Sequence, residues 1–182
     1  MKGSIPVPSK MRRRPKDERW DLPVPAFAEG RHGVDFQAAD YKHFRALIAA
    51  GRCAMCGEAV ERGIWWAVGE PLSLKEGRFI AEAMGHRECV EYAVEVCPWL
   101  RVAVYRRMSD RRDDTREVPD PDKPAVWGLV QARNPQLYET GIEVFLSDVR
   151  LRKLYGYVGG RLQVVTREVA NELLRAVDEE AL

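Results

Sequence analysis

The chain has no apolar run approaching the roughly 20 residues that span a bilayer, so nothing in its 182 residues reads as a membrane helix. Its opening, MKGSIPVPSKMRRR, lacks the continuous apolar centre of a secretory signal, and the expected location is therefore cytoplasmic. Histidine is scarce at three residues and cysteine at four. No glycine-rich phosphate loop and no Ser-His-Asp set is apparent. Charge of one sign is also missing in bulk: a formal net charge of +1 provides no strong field to draw a polyanion to the molecule as a whole.

What is present is a globular composition, 46% hydrophobic and 31% charged, which argues against a disordered chain. Its length suits one ordinary core, or two small ones with a metal staple. The charge it carries is unevenly spread. Lys2, Lys10, Arg12, Arg13, Arg14, Lys16 and Arg19 face only Asp17 and Glu18 in the first twenty residues. With Pro6, Pro8 and Pro15 among them, residues 1–20 read as a basic flexible arm, and Lys10, Arg12, Arg13, Arg14, Lys16 and Arg19 become candidate phosphate contacts. A solvated tail is the commoner fate of such a run.

Residues 24–28 and 34–36 are short apolar stretches flanking the glycine-punctuated segment 29–33, the pattern of a hairpin. Asp40 is a plausible N-cap for a helix over residues 41–50, whose Tyr41, Phe44, Leu47 and Ile48 recur at helical spacing, and Gly51 supplies the stop. Residues 60–68 read as a strand, paired with a second near 72–74 or 78–80. A helix is expected over residues 86–97, with Val90, Ala93, Val94 and Cys97 as its apolar stripe, closed by Pro98. Residues 106–124, charged and then proline-rich, read as a linker. Beyond it, residues 125–132, 141–146, 154–158 and 162–165 read as strands, with Gly159-Gly160 as a turn. Thr166 caps a final helix that turns Val169, Leu173, Leu174 and Val177 to the sheet. The expected organisation is α+β: a zinc-binding module over 21–105, then a strand-rich part over 125–182 closed by a helix.

The chemistry concentrates in Cys53, Cys56, His86 and Cys89. Zinc favours sulfur and imidazole donors in a tetrahedron, and two donors three positions apart turn inward from one tight loop or one helical turn. The helix N-terminus also favours thiolate charge, and Gly57 lets the loop backbone turn sharply. A buried thiol pair with an unrelated histidine is the bland alternative, but two pairs of matching spacing favour one structural zinc ion per chain. Cys97 lies eight residues past Cys89, about 12 Å along a helix axis, too far to share the ion. It reads as packing, as do His32 and His43.

The order of knuckle, β-hairpin and helix with a second ligand pair resembles a treble-clef zinc module. Pro6-Val7-Pro8, Pro23-Val24-Pro25, Cys53-Ala54-Met55-Cys56-Gly57, Gly69-Glu70-Pro71-Leu72-Ser73, His86-Arg87-Glu88-Cys89-Val90-Glu91-Tyr92-Ala93 and Cys97-Pro98-Trp99-Leu100 further resemble a group of bacterial and bacteriophage proteins with no assigned activity. That likeness covers about residues 1–100 and implies an architecture and a mobile-element setting only. Treble clefs also support HNH-type nucleases, which need a histidine base, an orienting asparagine and ligands for a catalytic cation. Between Cys53 and Cys97 the only histidine is His86 and there is no asparagine; Glu82, Glu88 and Glu91 could bind magnesium, but surface carboxylates on a helix are normally just solvated. Trp65 and Trp66 point to opposite faces of a strand, so one belongs to the core and the other is available to stack on a base or anchor a protein. The expected function is binding: first a nucleic-acid-associated accessory protein of bacterial or phage origin, second a protein–protein adaptor, and last a nuclease.

Overall fold

A computed structural model of the chain describes residues 5–18, 20–30, 33–34, 41–71, 79, 81–101, 103, 123–137 and 144–180. Residues 5–18 and Trp20 fold onto the core and are not part of a flexible arm as expected over 1–20; residues 1–4 and Arg19 lie outside the described residues. Met11 sits on a 3-10 turn, Ser9–Met11, and is 1% exposed within an apolar cluster that Val7 also packs against. The chain then doubles back, with the Asp17 N–H donating to Leu22 O at 2.9 Å and the Val24 N–H to Pro15 O at 2.8 Å. Composition misled here because one large apolar side chain, once buried, offsets much of the ordering cost of its neighbours.

Residues 24–28 do not form a strand. Pro23 and Pro25 withhold two ladder donors, and the segment instead lies along the cysteine loop, with the Ala26 N–H bonded to Met55 O at 2.8 Å and Phe27 to Ala54 O at 3.0 Å. The hairpin is shorter than expected and starts later, pairing β1 (Glu29–Gly30) with β2 (Gly33–Val34). Helix α1 (Tyr41–Ala49) buries Phe44 and Ile48 and ends at Gly51, whose φ of +69° is the left-handed stop. Its expected cap, Asp40, lies outside the described residues.

Strand β3 (Ile64–Gly69) pairs antiparallel with β4 (Ala81–Gly85), so the partner strand begins just past both expected segments. Helix α2 (Arg87–Val96) follows, and Pro98 both closes it and opens the short α3 (Pro98–Arg101). Strand β5 (Val126–Leu137) pairs with β6 (Val144–Val158), and β6 with β7 (Arg161–Val165). The two strands expected at 141–146 and 154–158 are thus parts of one long strand. The polar stretch between them, including Arg150, Arg152 and Lys153, belongs to neither expected strand, yet its backbone keeps the β5 ladder through several register shifts. Thr166 caps α4 (Arg167–Glu180) through Oγ1, which accepts from the Val169 N–H at 3.4 Å. Leu173 reaches Gly156 of β6, where any side chain would collide with it.

Beside the β1–β2 hairpin, strands β3 to β7 form one antiparallel sheet in the order β4-β3-β5-β6-β7. β3 lies in the expected zinc module and β5 in the expected C-terminal part, yet they pair from Ile64↔Arg133 to Gly69↔Gly128. The sheet therefore runs across the boundary read from sequence, and most of the expected linker lies outside the described residues. Alternation along β3 sorts the core to two sides. Val68 joins Val90, Ala93, Trp127, Leu129 and Tyr155 in one cluster, whereas Trp65 and Ala67 join Phe44, Ile48, Val130 and Ala132 in another. No helix among the described residues is long and apolar enough to cross a membrane.

Candidate metal centre

The first ligand pair stands on a closed loop. Arg52 and Ala59 form an antiparallel bridge, and the Val60 N–H donates to Gly51 O at 2.8 Å, which cinches the base of the loop to the end of α1. Inside it, Cys53 N–H bonds Glu58 O and Gly57 N–H bonds Cys53 O, each at 2.8 Å, with Gly57 at φ +79° as the sharp turn requires. The Arg52 guanidinium donates to Gly57 O at 2.9 Å. The Ala54 N–H reaches Met84 O at 2.9 Å and ties the loop to β4.

The second pair comes from the start of α2. His86 is the N-cap residue and Cys89 lies in the first turn, so both project to the same side. Gly85, just before them, has a φ of +153°, and a Cβ there would overlap the Cys53 Sγ and lie 2.8 Å from the Cys53 Cβ. Only glycine lets β4 pass this close to the first cysteine.

The ligand atoms of Cys53, Cys56, His86 and Cys89 all lie within 4.8 Å of one another, and all four residues are buried. His86 Nδ1 is 3.4 Å from the Cys56 Sγ and 4.0 Å from the Cys89 Sγ. A tetrahedron with Zn–S near 2.3 Å and Zn–N near 2.0 Å has edges of about 3.5–3.8 Å, so these separations fit such an ion. The other ring nitrogen, Nε2, is 2.9 Å from Ala59 O. Donation of the Nε2 proton to that carbonyl leaves the Nδ1 lone pair facing the sulfurs, the tautomer a metal ligand needs.

Electrostatics points the same way. Hydrogen bonds from the Cys56 and Cys89 thiols, with backbone N–H groups adding to them, pull the Cys53 thiol down to about 3 against the opposing effect of burial. Cys89 is driven up by its hydrogen bonds to Cys53 and Cys56 and by burial. The opposite shifts of Cys53 and Cys89 mark a crowded pair in which a bound cation would replace thiol protons.

The other residues singled out from sequence do not converge. Lys10 pairs with Glu88 on α2 at 3.4 Å, Arg14 with Glu29 at 2.5 Å and Lys16 with Asp21 at 2.8 Å. Arg12 donates to Val7 O at 3.2 Å, Arg13 is exposed, and Arg19 lies outside the described residues. The basic side chains thus spread over a folded segment and partly answer acids of the same chain. Trp65 is buried, so it offers no partner surface, while Trp66 is half-buried beneath the Arg87 guanidinium at 5.0 Å. Cys97 caps α2 away from the cluster, and His43 Nδ1 lies 2.9 Å from Glu29 O.

Two supporting groups escaped the sequence reading. Gly85 had a signal, its position directly before a ligand. Ala59 had none, because it acts through its carbonyl. No protein-family model, curated protein or solved structure matches the chain.

Proposed function

We propose that Cys53, Cys56, His86 and Cys89 hold one structural zinc ion and that the chain is a zinc-stabilised binding protein. The observation that carries this is the buried three-sulfur, one-imidazole cluster, with its histidine tautomer set by Ala59 O. Zinc rather than iron–sulfur ligation is favoured by the imidazole donor, since such clusters usually take cysteine throughout. Four protein donors fill a tetrahedral shell and leave no position for water or substrate, which favours a structural role over a catalytic one. The order of cysteine loop, β3–β4 hairpin and ligand-bearing α2 supports a treble-clef-like description. Reduced thiol ligands favour a cytoplasmic setting, and the binding partner we favour is nucleic acid.

The test is elemental analysis of freshly purified protein, with about one zinc per chain expected. Cys53→Ser is expected to lose the metal, and Cys97→Ala to keep it. Metal-free wild-type protein that melts as high as a zinc-supplemented sample overturns the reading.

A further inference from the structure

Cys53, Cys56, His86 and Cys89 are 0%, 6%, 7% and 0% exposed, so a chelator or thiol reagent has almost no direct path to their donor atoms. Access to such a group requires that a covering segment open locally. The N-terminal part of the chain is attached to both ligand-bearing elements, and it does so in two arms.

The inner arm, residues 23–28, lies on the cysteine loop. The Ala26 and Phe27 N–H groups donate to Met55 O at 2.8 Å and Ala54 O at 3.0 Å, and these acceptors are the two residues between Cys53 and Cys56. A Cβ at Gly57 would meet the Ala26 Cβ at 3.4 Å, so the arm rests against the turn of the loop as well. The outer arm, residues 5–18, reaches α2. Lys10 stands 3.4 Å from Glu88, the neighbour of Cys89 in the chain. Burial lowers the Lys10 ammonium, but Glu88, Glu61 and the Cys89 sulfur outweigh it and raise the group. Zinc with three thiolates and a neutral imidazole carries one net negative charge, so a cation in this position suits the loaded site. Met11 is buried in the apolar cluster that includes Cys53, Cys56 and Cys89, with Val7 packed against it.

The two arms are tied to each other where the chain doubles back. The Val24 N–H donates to Pro15 O at 2.8 Å, and the Arg14 guanidinium donates through Nε to Val24 O at 3.0 Å and pairs with Glu29 at 2.5 Å. Toward the start of the chain the attachments become side-chain contacts. The Lys10–Glu88 pair is partly exposed and contributes little, which leaves the Met11 side chain as the principal hold of the outer arm on the core.

We propose that the N-terminal strap gates the metal centre: residues 5–18, latched by Met11 and Lys10, open as a local unit, and that opening admits chelators and thiol reagents to the sulfurs. This rests on the reading of the cluster as a zinc site and goes beyond it by naming the segment that controls exchange.

The experiment follows zinc loss from the full zinc-loaded chain into excess EDTA, by elemental analysis of desalted aliquots. Met11→Ala leaves a cavity under the latch and is expected to speed release about tenfold or more, since buried Met→Ala changes exceed the 1.4 kcal/mol that corresponds to tenfold. Met11→Leu nearly conserves volume and is expected to stay within about twofold of wild type. Leu173→Ala, on an element that carries neither ligand nor strap, is expected to lower the melting temperature while changing release less than about twofold. Lys10→Glu sets like charges together at Glu88 and is expected to speed release about threefold at low salt, the gain shrinking as salt rises. Release from Met11→Ala at the wild-type rate, or from Leu173→Ala as fast as from Met11→Ala, overturns the proposal. If Met11→Ala does not fold or load zinc, Lys10→Glu decides, and a wild-type rate there overturns it. Zinc content before EDTA is added separates the two readings: metal-free wild type sinks the zinc site itself, whereas loaded protein that ignores the latch substitutions sinks the strap alone.

Discussion

Gly85 and His86 are the residues on which the metal centre turns most sharply after the ligands themselves. Gly85→Ala forces a methyl group against Cys53, and neither the Sγ nor the Cβ it meets is the free end of a flexible side chain. Overpacking of this kind costs about 1–3 kcal/mol. The variant is expected to melt several degrees lower and to release zinc faster to a chelator. A variant with unchanged metal retention would show that β4 can step away from the cysteine loop. His86→Cys, in contrast, keeps a fourth donor but discards the Ala59 hydrogen bond, so it is expected to bind zinc with weaker coupling between the loop and α2. Hydrogen exchange at the Val60 and Cys53 amides, which close the loop, reads that coupling.

At the scale of elements, β6 sets two tyrosines against the cluster that it shares with α2 and α3. Burial, with Glu91 and Glu95 adding to it, pushes Tyr155 up to about 12. Burial also raises Tyr157, whose hydroxyl donates to Leu100 O at 2.9 Å while accepting from the Trp127 indole at 3.0 Å. A phenol raised above its unfolded value of about 10 binds its proton more tightly when folded. Its contribution is therefore complete below about pH 10 and is lost as pH rises through the folded value. Stability is expected to fall from about pH 10 upward, with tyrosinate absorbance appearing together with loss of tertiary signal. Tyr155→Phe should soften that alkaline slope, and a slope identical to wild type would count against the coupling. The same elements explain how Lys123 joins the sheet: its ammonium stands 5.0 Å from both the Trp99 and Tyr157 rings and donates to Trp99 O, latching the approach to β5 against α3.

For the whole molecule, the sheet ties the candidate metal centre to both halves of the chain. The cysteine loop bonds β4, β4 bonds β3, and β3 bonds β5. Removing the proposed zinc is therefore expected to lower the temperature of one cooperative unfolding transition, not to melt the first half alone. Calorimetry with and without chelator checks this, and two separated transitions would speak for independent parts. A fragment ending at residue 105 should fail for the same reason. It strips β3 of its β5 ladder and uncovers Val68, Trp65 and Ala67, so it is expected to aggregate even with zinc supplied.

The sequence alone determined the local features. Ligand spacing, the glycine stop of α1, the extent of α2, the Gly159-Gly160 turn and the Thr166 cap all follow from interactions within a few residues, so they could be read without knowing the fold. Tertiary structure decided the rest. Met11 is an isolated apolar residue in a basic, proline-dotted segment, and only the presence of the core beside it makes burial pay the ordering cost of that segment. The join of β3 to β5 depends on strand partners more than fifty residues apart, and periodicity within a strand carries no record of its neighbour. The middle of β6 has the same origin: Arg150 and Arg152 show no strand pattern of their own, and only the β5 ladder holds their backbone extended while their side chains stay in water.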